Sequence, residues 1–254
     1  MAKPEPGSDN EATASFGYRE VPKADKRGLV RDVFESVAGR YDLMNDLMSA
    51  GIHRLWKAAL IRLLKPTPSM HLLDVAGGTG DVAQRFRQAG GGRVTVVDLT
   101  PEMLSHGRAR AVDAGLLDGI DWAAGDAEAL PLADRSVDAY SIAFGLRNVT
   151  EPETALGEAH RVLRPGGRLA VLEFSPAVLP GLSQVYDLYS FRVLPLLGGL
   201  VAGDAGSYRY LAESIRRFPR PEVLAEMIQR QGFAGVRLQA MTGGIAALHS
   251  GWRV

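Results

Sequence analysis

Short apolar runs alternate with stretches of helical periodicity through the middle of the chain. The runs HLLDVA (71–76), RVTVVDL (93–99), IDWAAGD (120–126), AYSIAFGL (139–146) and GRLAVLEF (167–174) have strand length and composition. Between them DVAQRFRQ (81–88), PEMLSHGRARAVDAG (101–115) and PETALGEAHRVL (152–163) space their apolar residues for one helical face. This alternation predicts an α/β fold with a mainly parallel sheet and helices on both of its faces. Gly91-Gly92 and Arg164-Pro165-Gly166-Gly167 punctuate it, because glycine stops a helix and proline cannot continue one.

The ends of the chain read differently. Residues 1–27 mix Pro, Gly, Ser and charges without periodicity, which predicts a flexible arm with no assigned element. From Val30 to Leu64 the positions Val33, Phe34, Val37, Tyr41, Met44, Leu47 and Met48, then Leu55, Trp56, Leu60 and Leu63, predict two or three helices ahead of the sheet. After Phe174 the stretch 175–220 is too long for a crossover and carries its own apolar face, as an inserted lid would. Its most apolar part, Phe191 to Val201, contains Arg192, Pro195 and a glycine pair and is too short to span a bilayer. A helix from Pro221 to Gln231 and the runs VRLQAM and AALHSGW complete the sheet as a closing hairpin, so residues 28–254 form one domain.

Composition narrows the partners. Lys plus Arg and Asp plus Glu balance at 29 each, so no positive field gathers phosphate backbones, and nucleic acid is not an expected partner. The chain also lacks the Asn/Asp-Pro-Pro-aromatic motif of base amino methylation. With no cysteine there is no disulfide, thiolate metal site or cysteine nucleophile, and no metal site is expected. The first residues lack the apolar run of a secretory signal, and Glu5, Asp9 and Glu11 argue against a transit peptide, which predicts a cytoplasmic protein.

The candidate chemistry begins where HLLDVA runs into AGGTGDVA. Gly77, Gly78 and Gly80 fall at a strand-to-helix turn, where missing side chains let a ligand approach the backbone. Gly78-x-Gly80-x-x-Ala83 satisfies a minimal dinucleotide pattern, a weak signal alone. Charge separates the readings: Asp74 and Asp81 flank the place where a pyrophosphate would sit, whereas a cofactor carrying an ammonium and a sulfonium tolerates them. Asp98, at the end of the next strand, suits ribose hydroxyls, and Asp126-Ala127 after the third strand suits an adenine amino group; the alternative is that both acids cap strand ends.

Together these elements resemble the class I S-adenosylmethionine methyltransferases, over about Asp74 to Phe174. Three further stretches look like the ubiquinone/menaquinone biosynthesis C-methyltransferases, the UbiE-type family: VFESVAGRYDLMNDLMSAGIHRLWK from Val33, FGLRNV from Phe144 and YRYLAESIRRFP from Tyr208. The resemblance implies a Rossmann-like fold with a seven-stranded, mostly parallel sheet. It also implies S-adenosylmethionine as cofactor and C-methylation of a polyprenylated quinol ring in either pathway or both. By motif position Thr79, Asp98, Asp126 and Ala127 match cofactor-contacting residues, while Ala143 stands where the family often has serine and so lacks that hydroxyl contact.

For the acceptor, FGLRNV supplies Arg147 to stabilise a phenolate and Asn148 to bond a ring oxygen, against the alternatives of a surface ion pair and a helix cap. Tyr208, Tyr210 and Phe218 are candidates to line the quinol pocket, or equally to fill the core. Tyr41, Asp42, Asn45 and His53 sit on helices that would close over the site, with His53 read as a base or as a buried structural histidine; His249 has no visible partner. Leu188, Phe191, Leu194, Leu196, Leu197 and Leu200 of the lid offer a surface to a polyprenyl tail or the inner membrane face, or pack on the sheet. A homodimer or a quinone-biosynthesis complex completes the expected partners. The competing readings are a methyltransferase for another lipid-like or phenolic acceptor and a non-catalytic cofactor-binding scaffold.

Overall fold

The computed structural model describes residues 12–37, 46, 49, 51–176, 179, 192 and 205–254. Residues within the expected arm form an antiparallel hairpin, β1 (Thr13–Phe16) and β2 (Arg19–Pro22), followed directly by α1 (Lys23–Val37). The expectation of a structureless arm is therefore corrected for residues 13–27. Alternation over four residues turns Ala14 and Phe16 inward, and Phe16 stacks on Tyr210 with ring centroids 4.2 Å apart. Gly17, at φ 61°, makes the tight turn.

Next come α2 (His53–Leu64), β3 (Leu72–Val75), α3 (Asp81–Gln88), β4 (Val94–Asp98), α4 (Pro101–Asp113) and β5 (Ile120–Ala124). Then follow β6 (Val137–Ala143), α5 (Pro152–Val162), β7 (Leu163–Phe174), α6 (Ala205–Arg217), α7 (Pro221–Arg230), β8 (Phe233–Met241) and β9 (Ala246–Arg253). The seven-stranded sheet has the order β5-β4-β3-β6-β7-β9-β8. Its strands run parallel except β9, which is antiparallel to both β7 and β8. The predicted α/β class, strand positions and closing hairpin are as observed.

Side-chain alternation divides the core between the two faces of the sheet. Leu72, Val96, Ala139 and Leu172 pack with Trp56, Leu60, Phe86 and Leu211 on one face; Leu73, Val97, Tyr140 and Val171 pack with Leu156, Leu224 and Ile228 on the other. The chain moves outward from β3 through β4 to β5 and then returns to place β6 on the opposite side of β3. That reversal opens a crevice at the carboxyl ends of β3 and β6, the position where ligands bind to doubly wound sheets.

Candidate cofactor and acceptor site

The loop after β3 is shaped by backbone that side chains disfavour. Ala76 (φ 48°), Gly78 (φ 55°) and Gly80 (φ 72°) take left-handed conformations, and Gly80 precedes the first turn of α3. A Cβ on Gly77 would lie 2.7 Å from Val96 Cγ1 and 2.9 Å from Asp74 Oδ2, so only glycine leaves this ground clear. Asp74 is buried beneath it and accepts a hydrogen bond from Ser141 Oγ at 2.7 Å, across the register that pairs the two residues on β3 and β6. Burial pushes its carboxyl up to about 7, against the opposing hydrogen bond from Ser141 and the charge of Lys57.

Two cavities meet this loop. A cleft of about 710 Å³ is lined by Gly78, Asp98, Asp126, Ala127 and Asn148, with Arg27, Val30 and Phe34 of α1 along it. Asp98 accepts the Gly78 N–H at 2.8 Å on one oxygen and the Thr100 N–H at 2.9 Å on the other. Burial raises its carboxyl, and these amides oppose that shift. Asp126 accepts the Glu128 N–H at 2.9 Å and lies 2.5 Å from a guanidinium nitrogen of Arg27, a partner that sequence reading placed in the arm. A smaller cavity of about 280 Å³ is lined by Asp74, Gly77, Thr79, Asp81, Lys57 and Ala143. Thr79 is buried, its hydroxyl accepting from Arg110 at 2.9 Å, and Gly80 touches neither cavity, because a Cβ there would meet the Trp122 ring at 2.4 Å.

The structure revises the charge argument at the loop. Asp81 is not a free carboxylate: Lys57 on α2 and Arg85 one turn on each reach it at 2.8 Å. Burial acts to raise its carboxyl, but the two cations outweigh burial and hold it at about 2. Asp74, by contrast, keeps an unmet acceptor, since its Oδ2 is buried without a hydrogen-bond partner among the described residues. The donor set thus suits a cationic amino group at Asp74, hydroxyls at Asp98 and an amino-bearing ring beside Asp126 and Ala127, which fits S-adenosylmethionine and not a pyrophosphate.

Beyond β6 the chain turns through Phe144 (φ 61°) into a 3₁₀ turn at Leu146–Asn148. A Cβ on Gly145 would stand 2.4 Å from Ala76 Cβ, so the loops after β3 and β6 press together here. Asn148 faces the larger cleft, and its Oδ1 accepts the Tyr210 phenol at 3.0 Å; it caps no helix. Arg147 turns away: its guanidinium is 2.9 Å from Glu173 Oε2 with both side chains almost wholly buried, and it lies over the Phe174 ring. The pair is buried and not at the surface, correcting the alternative considered for Arg147. Glu173 also accepts the backbone N–H groups of Arg147 and Phe174, and burial raises its carboxyl against the attraction of Arg147.

Arg147, Tyr210 and Phe218 line a third cavity of about 760 Å³, behind the Phe144–Val149 segment and alongside Lys26, Ser214 and Arg217. Tyr208 lies in the core and lines none of the three cavities. His53 is buried against Ser49, 2.9 Å away, and burial together with Lys57 lowers it to about 4, so it is a poor base near neutral pH. His249 donates from Nε2 to the Pro221 carbonyl at 2.8 Å, a structural role. Tyr41, Asp42, Asn45 and the lid residues Leu188, Phe191, Leu194, Leu196, Leu197 and Leu200 lie outside the described residues. Among the described residues no group of three or more His, Asp or Glu is placed to hold a metal ion.

Sequence reasoning missed Lys57, Arg27 and Glu173. Lys57 closes the long motif that begins at Val33, on the same face of α2 as Trp56, Leu60 and Ile61, where a charged residue among apolar neighbours was the available signal.

Comparison with known proteins gives the fold and the family. The fold is shared with an S-adenosylmethionine-dependent methyltransferase of Thermotoga maritima, at 20% identity and a TM-score of 0.64, over 89% of this chain and all of the other. It is shared also with phosphoethanolamine N-methyltransferase 2 of Haemonchus contortus solved with S-adenosyl-L-methionine, at 14% identity and a TM-score of 0.59, over 78% of this chain and 52% of the other. Among curated proteins, the ubiquinone/menaquinone biosynthesis C-methyltransferase UbiE of Methylobacterium nodulans is 57% identical, covering 96% of this chain and 98% of its own length. The protein of the same name from Roseobacter denitrificans is 53% identical over 97% and 99%. The profile of the ubiE/COQ5 methyltransferase family matches residues 19–253, and the chain belongs to that family.

Proposed function

We propose that this enzyme transfers a methyl group from S-adenosylmethionine to a ring carbon of a polyprenylated quinol, in ubiquinone biosynthesis, menaquinone biosynthesis or both. The observation that carries the reading is Asn148, which faces the cofactor cleft beside Gly78 and Asp98 and already holds a phenol, that of Tyr210, on its amide oxygen. An amide presented to a phenol at the carboxyl end of β6 suits a ring hydroxyl of a quinol.

S-adenosylmethionine supplies an activated methyl group, so the protein's part is to align the acceptor carbon and exclude water. Asp74 takes the cofactor's amino group, Gly77, Gly78 and Thr79 border its path while Gly80 turns the chain into α3, Asp98 takes the ribose hydroxyls, and Asp126 with Ala127 borders the adenine. Asn148 positions the quinol ring through one oxygen. Arg147 favours the ionised form of a nearby phenol, as its charge does for Tyr210, although burial sets the net direction of that group upward. An ionised hydroxyl enriches the neighbouring ring carbon, and the reaction replaces a ring hydrogen with methyl and releases one proton.

Tyr210 and Phe218 line the cavity behind the segment, while Tyr208 supports α6 from within the core. On its apolar sequence the stretch 175–220 is the candidate to take the polyprenyl tail at the inner membrane face, and a second copy or a quinone-biosynthesis complex is the candidate protein partner. No helix among the described residues is long and apolar enough to cross a membrane. The test is Asn148→Ala: quinol turnover falls about a hundredfold through misplacement of the ring while S-adenosylhomocysteine affinity, measured by calorimetry, is unchanged. Unchanged turnover would remove Asn148 from the acceptor site.

A further inference from the structure

The small cavity behind the cofactor loop holds an acid and a base that each have bonding capacity left. Asp74 is 1% exposed, gives one oxygen to Ser141, and turns the other, buried and unpartnered among the described residues, to the cavity wall. Lys57 is 4% exposed and lines the same cavity. Its ammonium offers three N–H donors, and among the described residues its one hydrogen-bond acceptor is Asp81 at 2.8 Å. Donors and acceptors left unmet in a buried site are destabilising, so the arrangement calls for a ligand that satisfies both.

The geometry points to Lys57 as the residue that binds the α-carboxylate of the cofactor's amino-acid portion, opposite Asp74 on the α-ammonium. An α-amino acid carries those two charges on one carbon, and of the two cavities that meet the loop this is the smaller, as the amino-acid portion is the smaller end of the cofactor. Asp81 is then a positioning residue. Held by Lys57 on one side and Arg85 on the other, it fixes the ammonium in place and ties α2 to the first turn of α3. The electrostatics agree, because Lys57 lowers the Asp74 carboxyl against its burial and so favours the charge that an ammonium needs. This inference rests on S-adenosylmethionine being the cofactor and is independent of the acceptor.

The competing role for Lys57 is purely structural, an ion pair that packs α2 on α3. Calorimetry with two probes separates them: S-adenosylhomocysteine, and its decarboxylated analogue, which keeps the ammonium and lacks the carboxylate. The wild-type protein is expected to prefer S-adenosylhomocysteine by about tenfold to a hundredfold, the worth of one charge-assisted hydrogen bond. Lys57→Met is expected to bring that ratio close to one. Equal binding of the two probes by the wild type overturns the proposal without any variant, and a Lys57→Met protein that weakens both equally assigns the residue to the structural role. Neither probe involves a quinol, so failure here leaves the acceptor reading standing, and a failed quinol assay leaves this one standing.

Discussion

On the role proposed for Asp74, cofactor binding is a proton-linked event. With its carboxyl near 7, it is largely protonated at pH 6 and ionised at pH 8. An ammonium requires the ionised form, so S-adenosylhomocysteine affinity should tighten about tenfold over that interval, and Asp74→Asn should flatten the profile. Stability runs the other way. A carboxyl raised in the folded state contributes stability that is fully present below its ordinary value and is lost as pH rises through about 7. The melting temperature of the ligand-free protein should therefore lose this contribution between pH 4 and 7, and Asp74→Asn should reduce the loss. Asp81, held at about 2, contributes in the opposite sense, with stability present above its ordinary value and lost as pH falls through about 2. Arg147 and Glu173 give a second test. Arg147→Met alone strands a buried acid and should cost about 3–5 kcal/mol in denaturant unfolding, while adding Glu173→Gln should recover most of it. Quinol turnover of the recovered double variant should stay low if Arg147 acts on the ring, and wild-type turnover would confine it to structure. The acid partnered by Arg147 was not readable in the chain, because 26 residues separate the two and only the pairing of β6 with β7 brings them together.

The loops after β3 and β6 act as one element. Ala76 and Phe144 are both left-handed at adjoining strand ends, a costly conformation that persists where surrounding contacts impose it. Gly145→Ala would put its Cβ 2.4 Å from Ala76, and we expect about 1–3 kcal/mol of destabilisation together with weaker S-adenosylhomocysteine binding; an unaffected affinity would show that the loops move independently. On the other side of the cleft α1 is pinned by Arg27 to Asp126, a partly exposed ion pair. Arg27→Ala should raise the S-adenosylhomocysteine off-rate in stopped flow about twofold to fivefold, with wild type approaching the variant at high salt. The glycine loop and its acids could be read from the chain because a strand, glycines and a helix follow one another locally. The amino-terminal hairpin escaped because four alternating residues are too short a pattern, and its anchor, the Phe16 ring on Tyr210, lies almost 200 residues away.

For the molecule as a whole, the α/β alternation, the strand positions and the closing hairpin followed from periodicity, since each depends on local spacing and on one sheet burying both faces. Which cavity Arg147 and Asn148 each enter did not, because it depends on the way the two turn after a single strained residue, Phe144. Asn148 lines the cleft, whereas Arg147 enters a buried pair behind it. On the proposed function, Asn148 is therefore the group that aligns the quinol ring in the cleft, and Arg147 acts from behind it. The decisive measurement is anaerobic incubation of the full chain with methyl-labelled S-adenosylmethionine and, separately, reduced demethylmenaquinone and a methoxy-polyprenyl-benzoquinol, with the label located by mass spectrometry of the purified products. Label on a ring carbon of at least one quinol is the predicted result; label on oxygen, or on neither quinol while cofactor binding is intact, would contradict quinol C-methylation.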